Sequence, residues 1–301
     1  VGKYGCHPEK RSLQEHIRNG IIIIDKWQGP TSRKVVDIIR EITGIKRLGH
    51  AGTLDPSVSG VLPVLLDNSC KVVKAMQDLD KEYVGVMHLH KGVDDSDLKK
   101  AVGMFIGEVK QKPPRKSAVA RKLRKRRIYA IDILDRKDRD VCLYVKCQAG
   151  TYIRVLFHEI GQKLGVGAHM KELRRIKAGN FSEKDCWKMH ELEHAFKKKD
   201  EKKIRGIVLP VERAVQHLGR VYVKDSAVWS ITHGSPLYTN GVVKVQRNIS
   251  SNELVALFSL KQELVAIGYS NMGAGEMINR KGIAVKTDRV VLDKDVYPRM
   301  K

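Results

Sequence analysis

The stretch Gly49-His50-Ala51-Gly52-Thr53-Leu54-Asp55-Pro56 constrains this chain more than any other. Its two glycines free the backbone to approach a ligand closely or to take positive φ. Its proline fixes φ directly after the acid. The segment reads as a tight turn that presents one carboxylate, Asp55, rigidly. Gly, Asp and Pro also punctuate ordinary polar turns, so the reading depends on the rest of the chain.

With 301 residues, 42% of them hydrophobic, the chain is long enough for one large domain and a small one around a sizeable core. Lys and Arg number 57 against 34 Asp and Glu, a formal net charge of +23. Such an excess points to phosphate backbones or an anionic membrane surface. No apolar run approaches the ~20 residues of a membrane-crossing helix, and residues 1–19 are polar without a signal-peptide core. Nucleic acid is therefore the expected partner, and no membrane association is expected. The five cysteines (Cys6, Cys70, Cys142, Cys147 and Cys186) are scattered, with no C-x-x-C pair. This argues against a zinc ribbon or a disulfide framework and fits a reducing, intracellular compartment. His88 and His90 share one face of an expected strand. With no third ligand nearby in sequence, polar surface roles are expected for them and no metal site.

Ile21 to Ile24 form an apolar run suited to a buried strand, followed by a Gly29-Pro30-Thr31-Ser32 turn with Ser32 as the expected helix cap. Val35, Ile38, Ile39 and Ile42 have helical spacing, and Gly44 is the expected stop. Beyond the Asp55 turn, strands are expected over residues 61–66 and 82–90, and helices over 70–79, 97–106 and 152–164. Residues 128–134 and 141–148 read as paired strands, and residues 197–203 as a charged helix or linker. Near Leu218-Gly219 the character changes to short strand runs (242–245, 254–260, 263–267) with Gly and Asn turns, the pattern of a small all-β barrel. Residues 110–127 hold ten Lys or Arg and no acid, with Pro113-Pro114 inside. The expectation there is a solvated loop that contacts phosphate. No phosphate-binding loop, dinucleotide fingerprint or nucleophile elbow occurs, so no cofactor is expected.

The Asp55 turn resembles the catalytic loop of TruB-type pseudouridine synthases, and other motifs follow in that family's order. Ile24-Asp25-Lys26 with Gly29-Pro30-Thr31-Ser32 resembles the first motif, and Lys81-Glu82-Tyr83-Val84 the tyrosine motif. Gly150-Thr151-Tyr152-Ile153-Arg154 resembles the arginine motif, and Leu173-Arg174-Arg175 through Gly179-Asn180-Phe181 the last one. Val223-Lys224-Asp225-Ser226-Ala227, His233-Gly234, residues 263–268 and Lys281-Gly282-Ile283-Ala284 are similar to a PUA domain, a small RNA-binding barrel. The whole chain is most similar to the catalytic subunits of archaeal box H/ACA ribonucleoproteins, the dyskerin group, and Gly165 to Met170 fits that branch well. There are departures: Trp27 stands where proline is usual, Arg33 where histidine is common, and Ala51 where this branch often has glycine. Ala51 demands negative φ more strictly than glycine, so it bears on loop geometry.

The resemblance implies an α+β protein: a mixed-sheet catalytic domain over residues 20–215 and an all-β PUA barrel over 219–297, with residues 1–19 packing on the barrel. It implies isomerisation of uridine to pseudouridine, which breaks the C1′–N1 bond, turns the base and rejoins it through C5. No atom is gained or lost, so no cofactor is required. The step is akin to glycoside cleavage, where a carboxylate stabilises or traps positive charge at C1′. The resemblance assigns that role to Asp55, either as nucleophile or as base. A buried carboxylate needs a partner to stay ionised, and Arg154 is the expected one. Tyr83 is expected to stack on the flipped uracil, with Tyr152 and Leu173 lining the pocket and His50 near the vacated base position. Lys112, Arg115, Lys116, Arg121, Lys122 and Arg124 correspond to the family's thumb loop over the substrate RNA. His233, Gly234 and Lys281 are the expected guide-RNA contacts in the PUA domain.

The partners so implied are a box H/ACA guide RNA, substrate rRNA or tRNA, and small ribonucleoprotein proteins, in the cytoplasm of an archaeal cell or the nucleolus of a eukaryotic one. A standalone tRNA T-loop synthase and a noncatalytic RNA scaffold are the alternatives. The intact acid, tyrosine and arginine argue against the scaffold.

Overall fold

Ile21 to Ile24 are all fully buried, and the reason is two cores rather than one. In a strand, successive side chains point to opposite faces. Ile22 and Ile24 join one cluster with Val35, Ile39, Leu156, Phe157 and Ile160. Ile21 and Ile23 join another with Val61, Leu65, Phe258, Leu264, Ile267 and Val291. Full burial of each such side chain stabilises the fold by roughly 1.5–3 kcal/mol. The sheet is thus covered by helices on one side and by the C-terminal domain on the other.

The structure, a computed structural model, describes residues 4–112, 122–246 and 248–300. In chain order the first part holds α1 (Leu13–Arg18), β1 (Gly20–Lys26), α2 (Ser32–Thr43), β2 (Leu48–His50), β3 (Val58–Leu66), α3 (Val73–Gln77), β4 (Lys81–Leu89) and α4 (Asp95–Gly103). It continues with β5 (Gly107–Gln111), β6 (Arg124–Lys137), β7 (Asp140–Cys147), α5 (Ile153–Lys163), β8 (Ala168–Ala178), β9 (Phe181–Ser182), α6 (Met189–Lys198), α7 (Glu201–Ile207) and β10 (Val208–Pro210). Its ten strands make one mixed sheet in the order β10-β1-β3-β8-β4-β7-β6-β5, with β2 on β3 and β9 on β8. β3 and β8 run parallel, and their neighbours pair antiparallel. The second part holds β11 (Gly219–Val223), α8 (Asp225–Thr232), β12 (Leu237–Tyr238), β13 (Val242–Val245), β14 (Leu254–Phe258), β15 (Leu264–Ser270), α9 (Ala274–Asn279) and β16 (Ile283–Val290). Its six strands form a separate sheet, β12-β16-β15-β14-β11-β13.

The expectation that residues 1–19 pack on the barrel holds only for their start: Gly5 and Cys6 lie against the second sheet, whereas α1 packs on the first part, with His16 Nε2 2.7 Å from Val208 O of β10 and Leu13 and Ile17 against the first core. Glu263, only 2% exposed, accepts from the Cys6 backbone N–H at 3.1 Å and from the Tyr297 hydroxyl at 2.6 Å. Lys261 donates to the Gly5 carbonyl at 2.8 Å. Arg11 grips Glu212 with both terminal nitrogens, at 3.0 and 2.7 Å, and Glu212 also accepts from the Leu264 N–H at 2.9 Å.

Local details differ from the sequence expectations. Thr31, not Ser32, caps α2: its hydroxyl accepts from the Lys34 N–H at 3.1 Å. Ser32 is already helical and turns its hydroxyl to the Asp55 loop. Gly49 sits inside β2, leaving Gly52, at φ +93°, as the loop glycine that needs the left-handed region. Residues 70–79 divide into a 3-10 turn (Asp67–Val72) and the short α3. The charged 197–203 stretch is two helices, broken at Lys199 with φ +52° and restarted by the Asp200 side chain, which accepts from Lys203 N–H. The basic 110–127 segment is not all loop. Lys110 and Gln111 belong to β5, and residues 124–127 to β6, paired as Lys110 with Lys125 and Gln111 with Arg124.

Candidate active site

The Asp55 loop rests on two buried cations that bond to backbone rather than to carboxylates. Lys26, at the end of β1, has no exposed surface. Its ammonium donates to the carbonyls of Val58 (2.7 Å), Trp27 (3.0 Å), Asp55 (3.2 Å) and Pro56 (3.3 Å). An ammonium has three N–H groups, so the loop's carbonyls share all of them. Arg175 of β8 is 1% exposed. Its Nε donates to Val61 O at 2.8 Å and its Nη2 to Gly52 O at 3.1 Å. Gly60 lets the β3 and β8 backbones come together at Arg175, because a Cβ there would fall 2.1 Å from the Arg175 carbonyl oxygen. Ser32 Oγ donates to Leu54 O at 3.0 Å and accepts from Leu54 N at 2.8 Å. Gly29 N–H reaches Pro56 O at 2.8 Å, and Ala51 N–H reaches Pro63 O at 3.0 Å. Ala51 keeps an ordinary negative φ, so the departure from glycine leaves the loop unstrained.

Above this floor, Arg154 Nη2 donates to Asp55 Oδ2. The expectation of a buried carboxylate is corrected here: the side chains are 55% exposed for Asp55 and 43% for Arg154. With water available to both, the pair contributes at most about 1 kcal/mol to stability. Its arrangement orients the acid. Arg154 lies in the first turn of α5, and Gln111 of β5 fixes the residue before that helix. The Gln111 side chain accepts from Tyr152 N–H at 2.9 Å and donates to Tyr152 O at 3.2 Å.

Tyr83 of β4 stands in direct register with Arg175 of β8. Burial pushes its phenol upward in pKa, with the Arg175 guanidinium acting the other way and the Asp55 carboxylate within electrostatic range. Leu173, 7% exposed, pairs across Val58 and Gly85, and its Cδ1 lies where a Cβ on Gly85 would come within 2.7 Å. His50 of β2 is partly buried with Nδ1 unpartnered. Burial first, and Arg175 second, lower its pKa, which favours the neutral ring. The same guanidinium, after burial itself, helps push Lys81 down to about 8. Tyr83, His50 and Lys81 thereby share one buried arginine, which also holds the Asp55 loop through Gly52 O.

The expected RNA contacts divide. Lys112 and Lys122 are exposed at the ends of the β5 and β6 region, and Arg124 is half-buried in β6. Arg115, Lys116 and Arg121 lie outside the described residues. In the second sheet, His233 ends α8, stacks on Trp229 at 4.1 Å and shares a 2.7 Å hydrogen bond between its Nδ1 and Trp229 O. Gly234 follows at φ +94°, and Lys281 is exposed just before β16. Thr239 N–H bonds to Gly282 O at 3.0 Å, which brings the β12 and β16 loops together.

His88 and His90 have neighbours that sequence distance concealed. Pairing of β4 with β8 sets His169 opposite His88, and His90 Nε2 lies 3.0 Å from His169 Nδ1. His88 Nδ1 pairs with Asp140 at 2.5 Å. Among the described residues no group of three or more His, Cys, Asp or Glu is arranged to hold a metal ion. No described helix is long and apolar enough to cross a membrane.

Lys26, Arg175, Ser32 and Gln111 are site residues whose roles the sequence did not disclose. Lys26 had one visible signal: a lysine closing a strand whose preceding isoleucines are all apolar.

Known proteins match this chain in sequence and fold. The N-terminal domain profile of TruB family pseudouridylate synthases matches residues 40–153, and the tRNA pseudouridylate synthase B C-terminal profile residues 154–216. A PUA profile matches residues 219–291, and a DKCLD profile residues 2–36. The probable tRNA pseudouridine synthase B of Thermococcus kodakarensis is 47% identical over 99% of this chain and 90% of its own. That of Methanopyrus kandleri is 45% identical over 99% and 89%. Among solved structures, a chain of a Cbf5-Nop10-Gar1 complex superposes with a TM-score of 0.93 at 45% identity, covering 100% of this chain and 93% of that one. A chain of an H/ACA RNP bound to a substrate RNA containing 2′-deoxyuridine gives 0.92 at 43%, covering 99% and 93%. Family matches over residues 40–216 and 45–47% identity over 99% of the chain converge, and the chain belongs to the TruB family of pseudouridine synthases.

Proposed function

We propose that this pseudouridine synthase works as the catalytic subunit of a box H/ACA ribonucleoprotein and modifies ribosomal RNA chosen by a guide RNA. The observation that carries the reading is the full-length likeness, PUA domain and N-terminal segment included, to chains solved in an H/ACA RNP and in an archaeal box H/ACA sRNP complex. The open site agrees with it. Asp55 is more than half exposed, so the described residues leave the acid open, and in this reading RNA and partner proteins complete the pocket.

In this reading Asp55 meets C1′ of the flipped uridine, Arg154 orients the carboxylate, and Tyr83 stacks on the base. Tyr152 and Leu173 shape the pocket, with His50 at its edge. Residues 20–215 act as the catalytic unit and 219–297 as the guide-binding PUA unit, with His233, Gly234 and Lys281 on its RNA side. Guide pairing then supplies sequence choice, and the protein supplies phosphate contacts and shape recognition. The names of the relatives favour a second reading, direct modification of tRNA.

The deciding experiment measures pseudouridine in a short labelled RNA and in a tRNA transcript, with and without a matching guide and partner proteins. Product in the short RNA only with the guide supports the guided enzyme. Product in tRNA from the chain alone, unaffected by any guide, sinks it.

A further inference from the structure

Trp27 directly follows the buried Lys26, yet 42% of it is exposed. It lies where β1 ends, and its backbone is tied to the catalytic loop. The Lys26 ammonium that bonds Trp27 O at 3.0 Å also bonds Asp55 O at 3.2 Å, so the two carbonyls are close neighbours. The turn that follows returns to the same loop, through Gly29 N–H and Pro56 O at 2.8 Å. The position of the indole is thus set by the same contacts that set the loop carrying the acid.

The indole forms one wall of a cavity of about 730 Å³. Ile38 of α2 and Met189 of α6 supply further apolar surface, and Ser59, Arg174 and His190 add polar groups. Sites of this size take ligands as large as a drug molecule, and one nucleotide is no larger. A single exposed apolar residue is unremarkable, but an aromatic and two aliphatic side chains lining one hollow form a recognition surface. The carboxylates of the lining are already matched: Asp25 pairs with Arg174 at 2.9 Å, and Glu193 with Lys197 at 2.6 Å. Lys188 and His190 on the rim are exposed, as are Arg33 and Lys34 in the first turn of α2. An anionic strand therefore meets no unpaired acid on its way to the indole.

The occupant has to offer a flat face to the indole on a strand that also passes Asp55. Flipping a target nucleotide out of its stack uncovers one face of each neighbouring base. Indoles cover such faces without regard to sequence. We infer that Trp27 is the stacking platform for a nucleobase of the substrate RNA that flanks the target uridine. The inference rests on the reading that the Asp55 site acts on RNA, and it adds one contact outside the basic hairpin. Trp27 touches no reacting atom and is a positioning residue: it holds the strand in the gap left by the flipped base.

The test is single-turnover pseudouridine formation in the guide complex, over a range of substrate RNA and salt concentrations, for wild type, Trp27→Ala and Trp27→Phe. Loss of one base–aromatic stack predicts about a tenfold rise in half-saturating RNA for Trp27→Ala. The maximal rate should stay within about twofold, because the stack is made before and during the reaction alike. The logarithmic salt slope should not change, since a stack neutralises no phosphate. Trp27→Phe should keep most of the affinity. A substrate carrying the fluorescent base 2-aminopurine beside the target should be dimmer in the wild-type complex than in the Trp27→Ala complex. Unchanged half-saturation in Trp27→Ala would overturn the inference. So would a fluorescence response confined to 2-aminopurine placed in the guide, which would make the guide the occupant. A lower melting temperature with half-saturation intact would mark a structural tryptophan and overturn it as well. If wild type forms no product with the guide, the guided reading fails, and the same comparison on tRNA with the chain alone decides the stacking.

Discussion

Arg175 and Arg154 both serve the Asp55 loop, by opposite means. Arg175 is 1% exposed and bonded to backbone carbonyls, whereas the Arg154 side chain is 43% exposed and paired with the acid itself. Beneath the loop, Arg175 and Lys26 hold geometry through groups that exist whatever the side chains are. Above it, Asp55 and Arg154 hold charge that remains open to solvent. Separating the two makes the loop's shape independent of the exposed ion pair. It also predicts that floor and mouth substitutions fail in different ways.

The largest effect belongs to the mouth. Asp55→Asn should lower single-turnover product formation by ~10⁴-fold, the scale of losing an essential carboxylate. Thermal stability should be almost unmoved, and guide-RNA affinity should stay within a few-fold. A large drop in melting temperature or guide affinity would show that Asp55 supports the fold or the RNA site instead, and the division between floor and mouth would collapse.

Next comes the floor. Lys26→Met keeps the buried stem but strips the donors from the carbonyls of Val58, Trp27, Asp55 and Pro56. A buried acceptor left unmet costs about 1–3 kcal/mol. Chemical denaturation should therefore show a loss of about 3 kcal/mol, with activity falling as the loop loosens. A variant as stable as wild type would mean that the carbonyls find water, and the floor would not be the rigid part.

These cations explain which parts of the molecule the sequence disclosed. Asp55, Tyr83 and Arg154 stand in motifs whose residue types match the chemistry. Lys26 and Arg175 bond to carbonyls, which every residue carries, so nothing in the sequence marks their partners. The basic 110–127 run conveyed charge but hid structure, because its ends pair as β5 and β6 and Gln111 bonds to Tyr152, which charge counting does not register. His169 reaches His88 and His90 only through pairing of β4 with β8, a contact 79 residues apart for His90. The four isoleucines showed that β1 is buried, but the identity of the second core, supplied by Phe258, Leu264 and Val291, required the tertiary fold.

The pH dependence of the floor gives a smaller, graded effect. Lys81, 5% exposed, is pushed down to about 8 by burial and then by Arg175. In the unfolded chain a lysine titrates near 10.4. Below pH 8 the group is charged in both states, and the fold bears the cost of a buried ammonium. Between about pH 8 and 10.4 the unfolded chain holds a proton that the folded one has released, so this group makes stability rise with pH. The full rise is on the order of 3 kcal/mol, with a little under half of it by pH 9. Unfolding free energies of wild type and Lys81→Met, compared at pH 7 and pH 9, should show the gain in wild type only. Equal pH responses would mean that Lys81 titrates normally and that Arg175 is screened from it.

The smallest effect is the most discriminating, because it asks whether the mouth pair stabilises anything. A double-mutant cycle on Asp55→Asn and Arg154→Gln should give a coupling in unfolding free energy below about 1 kcal/mol, as for other exposed ion pairs. It should fade as salt is raised toward 1 M, where the screening length falls to about 3 Å. The activity readout should differ. Arg154→Gln alone should already be slow, and adding Asp55→Asn should change little, because one residue orients what the other supplies and such units are strongly non-additive. A stability coupling of several kcal/mol would place Arg154 with Arg175 as part of the floor. Additive losses in rate would mean that Arg154 acts on the substrate independently of the acid it contacts.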